Sequence, residues 1–159
     1  MLLRGVLTAI ALAALASCGQ QQAASTAQTE TAAAAPAPEP PSFDVSKLEA
    51  PYNTADAAAG ERVFMKCRAC HAAGPGAPNM VGPSLHGLFG RKAGTHEGFV
   101  YSDAMAKAGF DWTPAKLNEY ITDPRGTVPG NRMAFIGVKD PTDRQNLIAY
   151  LLLETNRGQ

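Results

Sequence analysis

Two cysteines and a histidine are the residues of this chain whose spacing points most directly to chemistry. Cys67 and Cys70 are three positions apart and His71 follows at once, which is the C-x-x-C-H pattern of covalent haem attachment. Residues i and i+3 share one face of a helical turn, so both thiols can reach the two vinyl groups of one haem. The imidazole of His71 would then lie beneath the iron. The pentapeptide predicts a single haem c, held by two thioethers and one axial histidine.

Other uses of a C-x-x-C pair need to be weighed against haem attachment. Such a pair also occurs in disulfides, in redox-active dithiols and as half of a zinc site. A zinc site would need a second pair of ligands, for which only Cys18, His86 and His96 remain. A thioredoxin-like dithiol would need a βαβ setting, which this sequence does not indicate. Haem attachment is therefore favoured, and the two remaining histidines are expected to be loop residues without a catalytic role.

Residues 1–18 have the pattern of an export signal. Arg4 supplies the positive start and residues 5–16 form an apolar run rich in Leu and Ala, shorter than the ~20 residues that a membrane span needs. The run ends in a sequence that resembles a bacterial lipobox, in which Cys18 would be lipidated and become the mature N-terminus. An ordinary cleaved signal with an incidental cysteine is the alternative. The protein is thus expected on the periplasmic face of a bacterial membrane, lipid-anchored, or soluble in the periplasm if the anchor is absent.

The segment 19–50 is rich in Ala, Pro and Gln and has little apolar surface to offset the entropy cost of ordering it. Its proline run at 36–41 favours an extended conformation. We interpret the segment as a disordered tether that would hold a domain roughly 30 Å from its anchor, at about 5–6 Å times the square root of its length. The formal net charge of the chain is zero, so composition gives no argument for nucleic-acid binding.

Residues 51–159 have the length of one small domain, and their patterning predicts an all-α fold with long loops. Nine glycines and prolines between residues 72 and 95 predict a loop, and no segment alternates like a strand. Helix starts are predicted from capping residues. These are Thr54 for a helix to about Cys70, Ser102 for a short helix ended by Gly109, Thr113 before Pro114 for a helix stopped at Asp123-Pro124, and a capping box over Thr142–Gln145 for the last helix.

An iron that only carries electrons needs a second axial ligand from the protein. Met133 follows the irregular stretch 129–132, which can present its thioether, and lies 62 residues beyond His71. The other methionines are less suitable because they lie in the signal segment, in predicted helices, where packing is the ordinary use of methionine, or in the loop leaving the histidine: Met1, Met65, Met105 and Met80. The sequence therefore favours Met133 as the distal ligand.

Over essentially all of 51–159 the sequence resembles the class I cytochromes c of mitochondria and of alphaproteobacterial respiratory chains. The motifs that carry the resemblance are Gly60–Phe64, Cys67–His71, Val81–Gly94, Tyr101–Ala104, Trp112, Tyr120, Pro124, Pro129–Phe135 and Leu147–Leu151. The resemblance implies the small cytochrome c fold, wrapped around one covalent haem c. It also implies that the iron is closed between His71 and Met133.

The resemblance further implies roles for the neighbours of the iron. The carbonyl of Pro83 would accept a hydrogen bond from His71, and the hydroxyl of Tyr120 would donate toward the sulfur of Met133. Four residues would contact the haem propionates: Arg91, Tyr101, Trp112 and Asn131. Phe135 would pack beside the exposed haem edge. Asn131 stands where relatives often have Thr, so its propionate contact is expected to be altered.

The function that the resemblance implies is that of a monomeric one-electron carrier, not an enzyme. Its partners would be a cytochrome bc complex and a terminal oxidase or photosynthetic reaction centre. The alternatives are a haem subunit that accepts electrons from a periplasmic dehydrogenase, a haem peroxidase, which needs an open iron site, or a haem-based sensor.

Charge gives a further expectation about partners. Residues 51–159 contain twelve Lys and Arg against ten Asp and Glu. Five basic residues flank the haem motif and the Met133 loop: Lys66, Arg68, Arg125, Arg132 and Lys139. These residues are either ordinary solvated surface or a ring that steers an acidic redox partner. Because the surplus of positive charge is small, such steering is expected to be weak.

Overall fold

A computed structural model describes residues 43–158; the predicted export signal, Cys18 and most of the predicted tether lie outside the described residues. Two 3-10 turns, Val45–Lys47 and Tyr52–Thr54, precede five α-helices within this range: α1 (Ala57–Arg68), α2 (Asp103–Ala106), α3 (Pro114–Thr122), α4 (Pro124–Thr127) and α5 (Pro141–Glu154). The described residues contain no strand, only an isolated antiparallel bridge between Lys92 and Asp111, so the predicted all-α class with long loops is confirmed. None of the helices described is long and apolar enough to cross a membrane.

The crossing of α1 and α5 forms the centre of the fold. Gly60 of α1 lies directly against the backbone carbonyl of Asn146, where any Cβ would collide. Phe64 of α1 and Tyr150 of α5 are both buried, and their ring centroids are 5.3 Å apart. Glycine at the contact lets the two helices approach closely, and the aromatic pair fills the space beside it. This crossing agrees with the apolar face predicted for the first helix.

Helix α1 begins two residues later than predicted. The carboxylate of Asp56 accepts the amide hydrogen of Ala59 at 2.9 Å and is the N-cap. The predicted cap, Thr54, lies in the preceding 3-10 turn, where its hydroxyl donates to the carbonyl of Pro51 at 3.1 Å. Asp56 occupies the cap because its own amide is tied to the side chain of Asn146 at 2.9 Å, a contact made only in the folded chain.

The predicted capping box of the last helix is also wrong. Helix α5 begins at Pro141, and the carboxylate of Asp140 accepts the amide hydrogen of Asp143 at 2.8 Å. Proline is favoured at the first helical position because its missing N–H needs no partner there. That preference moves the cap to Asp140 and places Thr142 inside the helix. The starts predicted from Ser102 and Thr113 are confirmed, since both hydroxyls cap their helices.

Part of the predicted tether belongs to the folded domain. Phe43 packs edge-on against Tyr150, with ring centroids 5.5 Å apart, and the guanidinium of Arg157 lies 5.9 Å from its centroid. Asp44 then caps the first 3-10 turn through the amide of Ser46. Residues 43–50, predicted as part of the tether, therefore include a contact with the domain, because the one aromatic of this segment finds an aromatic partner on α5.

Candidate haem site

The end of α1 brings the two cysteines together. Cys67 lies in its last turn, and the amides of Cys70 and His71 both donate to the carbonyl of Cys67, at 3.0 and 2.9 Å. The helical turn thus continues past Arg68 and carries all three functional side chains. Both cysteines are half-buried free thiols that form no disulfide with each other. Burial raises the pKa of the Cys67 thiol to about 11.

The ring of His71 is oriented by the loop that follows it. Its Nδ1 lies 2.8 Å from the carbonyl oxygen of Pro83. A carbonyl only accepts, so Nδ1 carries the proton and Nε2 is left to bind a metal. A Cβ on Gly82 would lie 2.7 Å from Nδ1, so the backbone can cover the ring only because this residue is glycine. Burial lowers the pKa of His71, against the smaller opposite effect of the Pro83 carbonyl, which favours the neutral imidazole that a metal needs.

Asn131 shapes the backbone that presents Met133. Its Nδ2 donates to the carbonyls of Pro124 at 2.7 Å and Val128 at 2.8 Å, and its Oδ1 accepts the amide hydrogen of Met133 at 2.9 Å. Both amide hydrogens of the side chain thus bond backbone carbonyls, and the residue stabilises the loop. The propionate contact that the resemblance implies for Asn131 stays a prediction.

Tyr120 and Met133 meet in the structure. The hydroxyl of Tyr120, on α3, lies 3.9 Å from the sulfur of Met133, within the range for a weak hydrogen bond to sulfur. Burial raises the pKa of Tyr120 to about 12, so the hydroxyl keeps its proton and can donate. Met133 and Phe135 are both partly buried against the hydrophobic core, whereas the intervening Ala134 is exposed.

Arg91 lies in a network that the sequence did not reveal. Its Nη1 donates to the carbonyl of His86 at 2.9 Å and lies 2.7 Å from Nδ1 of His96, while Nη2 donates to the carbonyl of Ser84 at 3.1 Å. His96, expected to be a plain loop residue, therefore contacts a predicted propionate ligand. Nδ1 of His86 is buried with no hydrogen-bond partner among the residues described. A histidine five residues after an arginine in a glycine-rich loop was the signal available in the sequence.

Trp112 and Tyr101 lie near Arg91, as their predicted common role requires. The amide of Trp112 donates to the carbonyl of Arg91 at 2.9 Å. Burial raises the pKa of Tyr101, and the positive charge of Arg91 partly opposes this effect. The indole ring of Trp112 is also edge-on to Tyr120, with centroids 5.1 Å apart. A guanidinium is a suitable partner for a carboxylate, so Arg91 fits its predicted role of binding a propionate of a haem held by the cysteines.

The comparisons with known proteins decide the family. The Cytochrome c family profile matches residues 57–153. The chain belongs to the cytochrome c family. It is 54% identical to cytochrome c2 of Blastochloris viridis over 109 residues, which are 69% of this chain and 86% of that protein. It is 50% identical to cytochrome c-550 of Bradyrhizobium diazoefficiens over 95 residues, covering 60% and 70% of the two chains.

A solved structure gives the same result. Cytochrome cH from Methylobacterium extorquens superposes with a TM-score of 0.57 at 45% identity, covering 61% of this chain and 97% of that one. The cytochrome c fold and the single covalent haem c predicted from the sequence are thereby confirmed, and the protein is a haem protein of electron transport. The free, neighbouring thiols of Cys67 and Cys70 fit that cofactor.

Proposed function

We propose that this cytochrome c is a one-electron carrier in which His71 and Met133 occupy both axial positions of the haem iron in both oxidation states. The observation that carries the proposal is the placement of Met133. Its thioether lies beside the Tyr120 hydroxyl, and its amide is bonded to Asn131. With both axial positions taken, no iron site is left for a substrate. This argues against a peroxidase or a gas sensor.

Haem supplies the couple between ferric and ferrous iron, and a methionine ligand with a buried haem raises its reduction potential. The protein would supply two ligands that its own hydrogen bonds hold in place. His71 is held by the Pro83 carbonyl at 2.8 Å, which also makes the imidazole a better donor. Tyr120 donates weakly to the Met133 sulfur, which reduces the donation of that sulfur to iron. Arg91 and Tyr101 would balance the charge of a propionate.

We further propose a cytochrome bc complex as electron donor and a terminal oxidase or photosynthetic reaction centre as acceptor. The resemblance to respiratory cytochromes c supports this pair, and the surface fits protein docking. All the large apolar side chains that are exposed within the described residues lie within three positions of a proposed haem contact: Met65, Met80, Val81, Val100 and Ile136. Basic residues such as Arg125 and Lys139 lie nearby in sequence and are exposed. The proposed docking surface would combine these apolar side chains with positive ones.

The dependence of the oxidation rate on ionic strength measures how much electrostatic attraction contributes to docking. In stopped-flow oxidation by an acidic redox protein, we expect the rate to fall modestly as ionic strength rises, because exposed charges are screened. A flat profile would reject electrostatic steering and leave apolar contact as the driving force.

We also propose that the protein works at the periplasmic face of a membrane, anchored through lipidated Cys18. The support is the export-signal pattern of residues 1–18 and the lipobox-like sequence before this cysteine. Intact-mass measurement of the mature protein should report one haem and one lipid together. Cys18→Ser should move the protein from the membrane fraction to the soluble periplasmic fraction, and unchanged membrane retention would reject the lipid anchor.

The carrier function is tested by spectroelectrochemical titration together with ligand binding. We expect one reversible one-electron transition in the holoprotein and no binding of carbon monoxide to the ferrous form on mixing. A ferrous form that binds carbon monoxide at once, with peroxide turnover in the ferric form, would reject the carrier and support the peroxidase alternative.

A further inference from the structure

Arg144 of α5 donates three hydrogen bonds that no sequence motif suggested. Its Nε donates to the side-chain oxygen of Asn118, on α3, at 2.9 Å. Its Nη1 donates to the backbone carbonyls of Val138 at 2.9 Å and Lys139 at 2.8 Å. The half-buried guanidinium thus joins two helices to the segment that follows Met133.

The same segment is docked on the end of α3. The amide of Val138 donates to the carbonyl of Ile121 at 2.8 Å, and Nζ of Lys139 donates to the carbonyl of Thr122 at 2.8 Å. Gly137 has φ +93°, and a Cβ there would lie 2.8 Å from the Ile121 oxygen. A close approach and a positive φ together require glycine at this position. Residues 137–139 are therefore held against the last turn of α3, the helix that carries Tyr120.

The chain is also held before Met133. Asn131 bonds the carbonyls of Pro124 and Val128, and Nη2 of Arg132 donates to the carbonyl of Tyr101 at 2.8 Å. Between these contacts and those of Arg144, residues 134–136 have apolar side chains, and their backbone makes no hydrogen bond to the rest of the described domain. The bonds from Arg144 to Val138 and Lys139 fix the far end of this span, so they limit how far the backbone around Met133 can move outward.

We propose that Arg144 is a positioning residue for the distal ligand: it sets how readily Met133 leaves the haem iron, although it does not contact Met133. The inference rests on the proposed function, since it requires Met133 to be a ligand. Hydrogen bonds from a charged donor are stronger than neutral ones, and opening the segment would leave two carbonyls without their donor. Exposed Lys139 makes a single bond of this kind, whereas half-buried Arg144 donates to two carbonyls of the same segment.

The experiment compares two neighbouring residues of α5 in the full-length holoprotein. Gln145 is half-buried like Arg144, but its Nε2 donates to the carbonyl of Pro51 at 2.7 Å. Pro51 precedes α1 and does not belong to the segment around Met133. Imidazole is titrated into the ferric forms of Arg144→Met and Gln145→Met, and its affinity for the iron is read from the absorption spectrum. Because charged hydrogen bonds are lost, Arg144→Met should bind imidazole about tenfold more tightly than wild type. Gln145→Met should stay within about twofold of wild type, because its bond does not restrain the loop.

Two outcomes overturn the inference. One is an imidazole affinity of Arg144→Met equal to that of wild type. The other is an equal rise in Gln145→Met, which would indicate general destabilisation. If Arg144→Met does not fold, Arg144→Lys and Asn118→Ala decide, since each removes part of the network. Both variants should show a smaller rise in imidazole affinity than Arg144→Met is expected to show. If the affinity rises in neither variant, the proposal is overturned.

The failure of the proposed function gives a different result. Wild type would then lack the near-red iron–thioether band before imidazole is added. A wild type that shows the band, together with variants that bind imidazole no better, rejects the role of Arg144 alone.

Discussion

The two sides of the haem site are built by different means. His71 follows a twelve-residue helix, next to two cysteines that bond the cofactor, and its ring is fixed by Pro83. Met133 lies in an extended segment without secondary structure, held at both ends by side chains, above all Asn131 and Arg144. A side built from covalent bonds and a helix stays in place while the fold persists. The side held by hydrogen bonds is therefore where the site opens and where single substitutions tune it.

The largest effect should come from removing the covalent side. The double substitution Cys67→Ser and Cys70→Ser should yield no haem that stays with the chain on a denaturing gel. It should also lose most of the helical circular dichroism, because Leu85, Met133 and Phe135 lie only half-buried at the edge of the core and need the haem to complete their burial. Met65→Ala, on the same helix but exposed, is the matched control. Haem retained on the gel by the double variant would contradict covalent attachment at these positions.

An intermediate effect should come from loosening the distal side. Asn131→Ala removes three hydrogen bonds around Met133 and should lower the free energy of unfolding by about 1–3 kcal/mol. On warming, its iron–thioether absorption should disappear well below the temperature of global unfolding, since the loop opens first. Asn131→Asp keeps the acceptor for the Met133 amide. It should lose the iron–thioether absorption at a temperature between those of Asn131→Ala and wild type. Asn53→Ala, at an exposed position of the second 3-10 turn, should match wild type. Coincident loss of absorption and helicity in Asn131→Ala would show that the loop is not a separate unit.

A smaller effect should come from the hydroxyl beside the ligand. In Tyr120→Phe the Met133 sulfur is free to donate more strongly to iron, which favours the ferric form. The reduction potential should fall by less than about 59 mV, the value for a tenfold change in a one-electron equilibrium, because the bond at 3.9 Å is weak. Tyr52→Phe, a half-buried tyrosine outside the site, is the control. A potential that rises, or that does not move, would reject donation from Tyr120 to the sulfur.

The last effect appears only at high pH and concerns two buried tyrosines, Tyr150 of α5 and Tyr120 of α3. Burial raises the pKa of each to about 12, from 10. The unfolded chain therefore loses these protons first as pH rises, so the stabilising contribution is complete below pH 10 and is lost between about pH 10 and 12. Tyr150→Phe should lose less free energy of unfolding over this interval than wild type, measured with denaturant. An unchanged slope would show that Tyr150 ionises normally in the folded protein.

The predictable parts of the fold and site were those encoded locally. The C-x-x-C-H spacing identified the cofactor, and Ser102 and Thr113 identified their helices, because a cap and its helix are neighbours in sequence. Asp56 was missed because Thr54 offers a similar local signal, and the choice depends on Asn146, ninety residues away. The sequence places Phe43 in the tether because its partner, Tyr150, lies at the other end of the domain.

The side chains that hold the distal loop were the hardest to predict. The sequence does not reveal that the Asn131 amide bonds the carbonyls of Pro124 and Val128. Arg144 stood in an ordinary amphipathic helix, and its role follows from carbonyls that only the folded chain brings to it. Polar side chains that bond the backbone of a distant loop leave no periodic signal in the sequence.

The most direct test of the closed His71–Met133 site is the near-red absorption spectrum of the oxidised holoprotein, measured for wild type and for Met133→Ala. Wild type should show the weak iron–thioether band, and Met133→Ala should lack it while it keeps its covalent haem and binds added cyanide on mixing. A wild type without the band, or a band that survives in Met133→Ala, would contradict Met133 as the ligand.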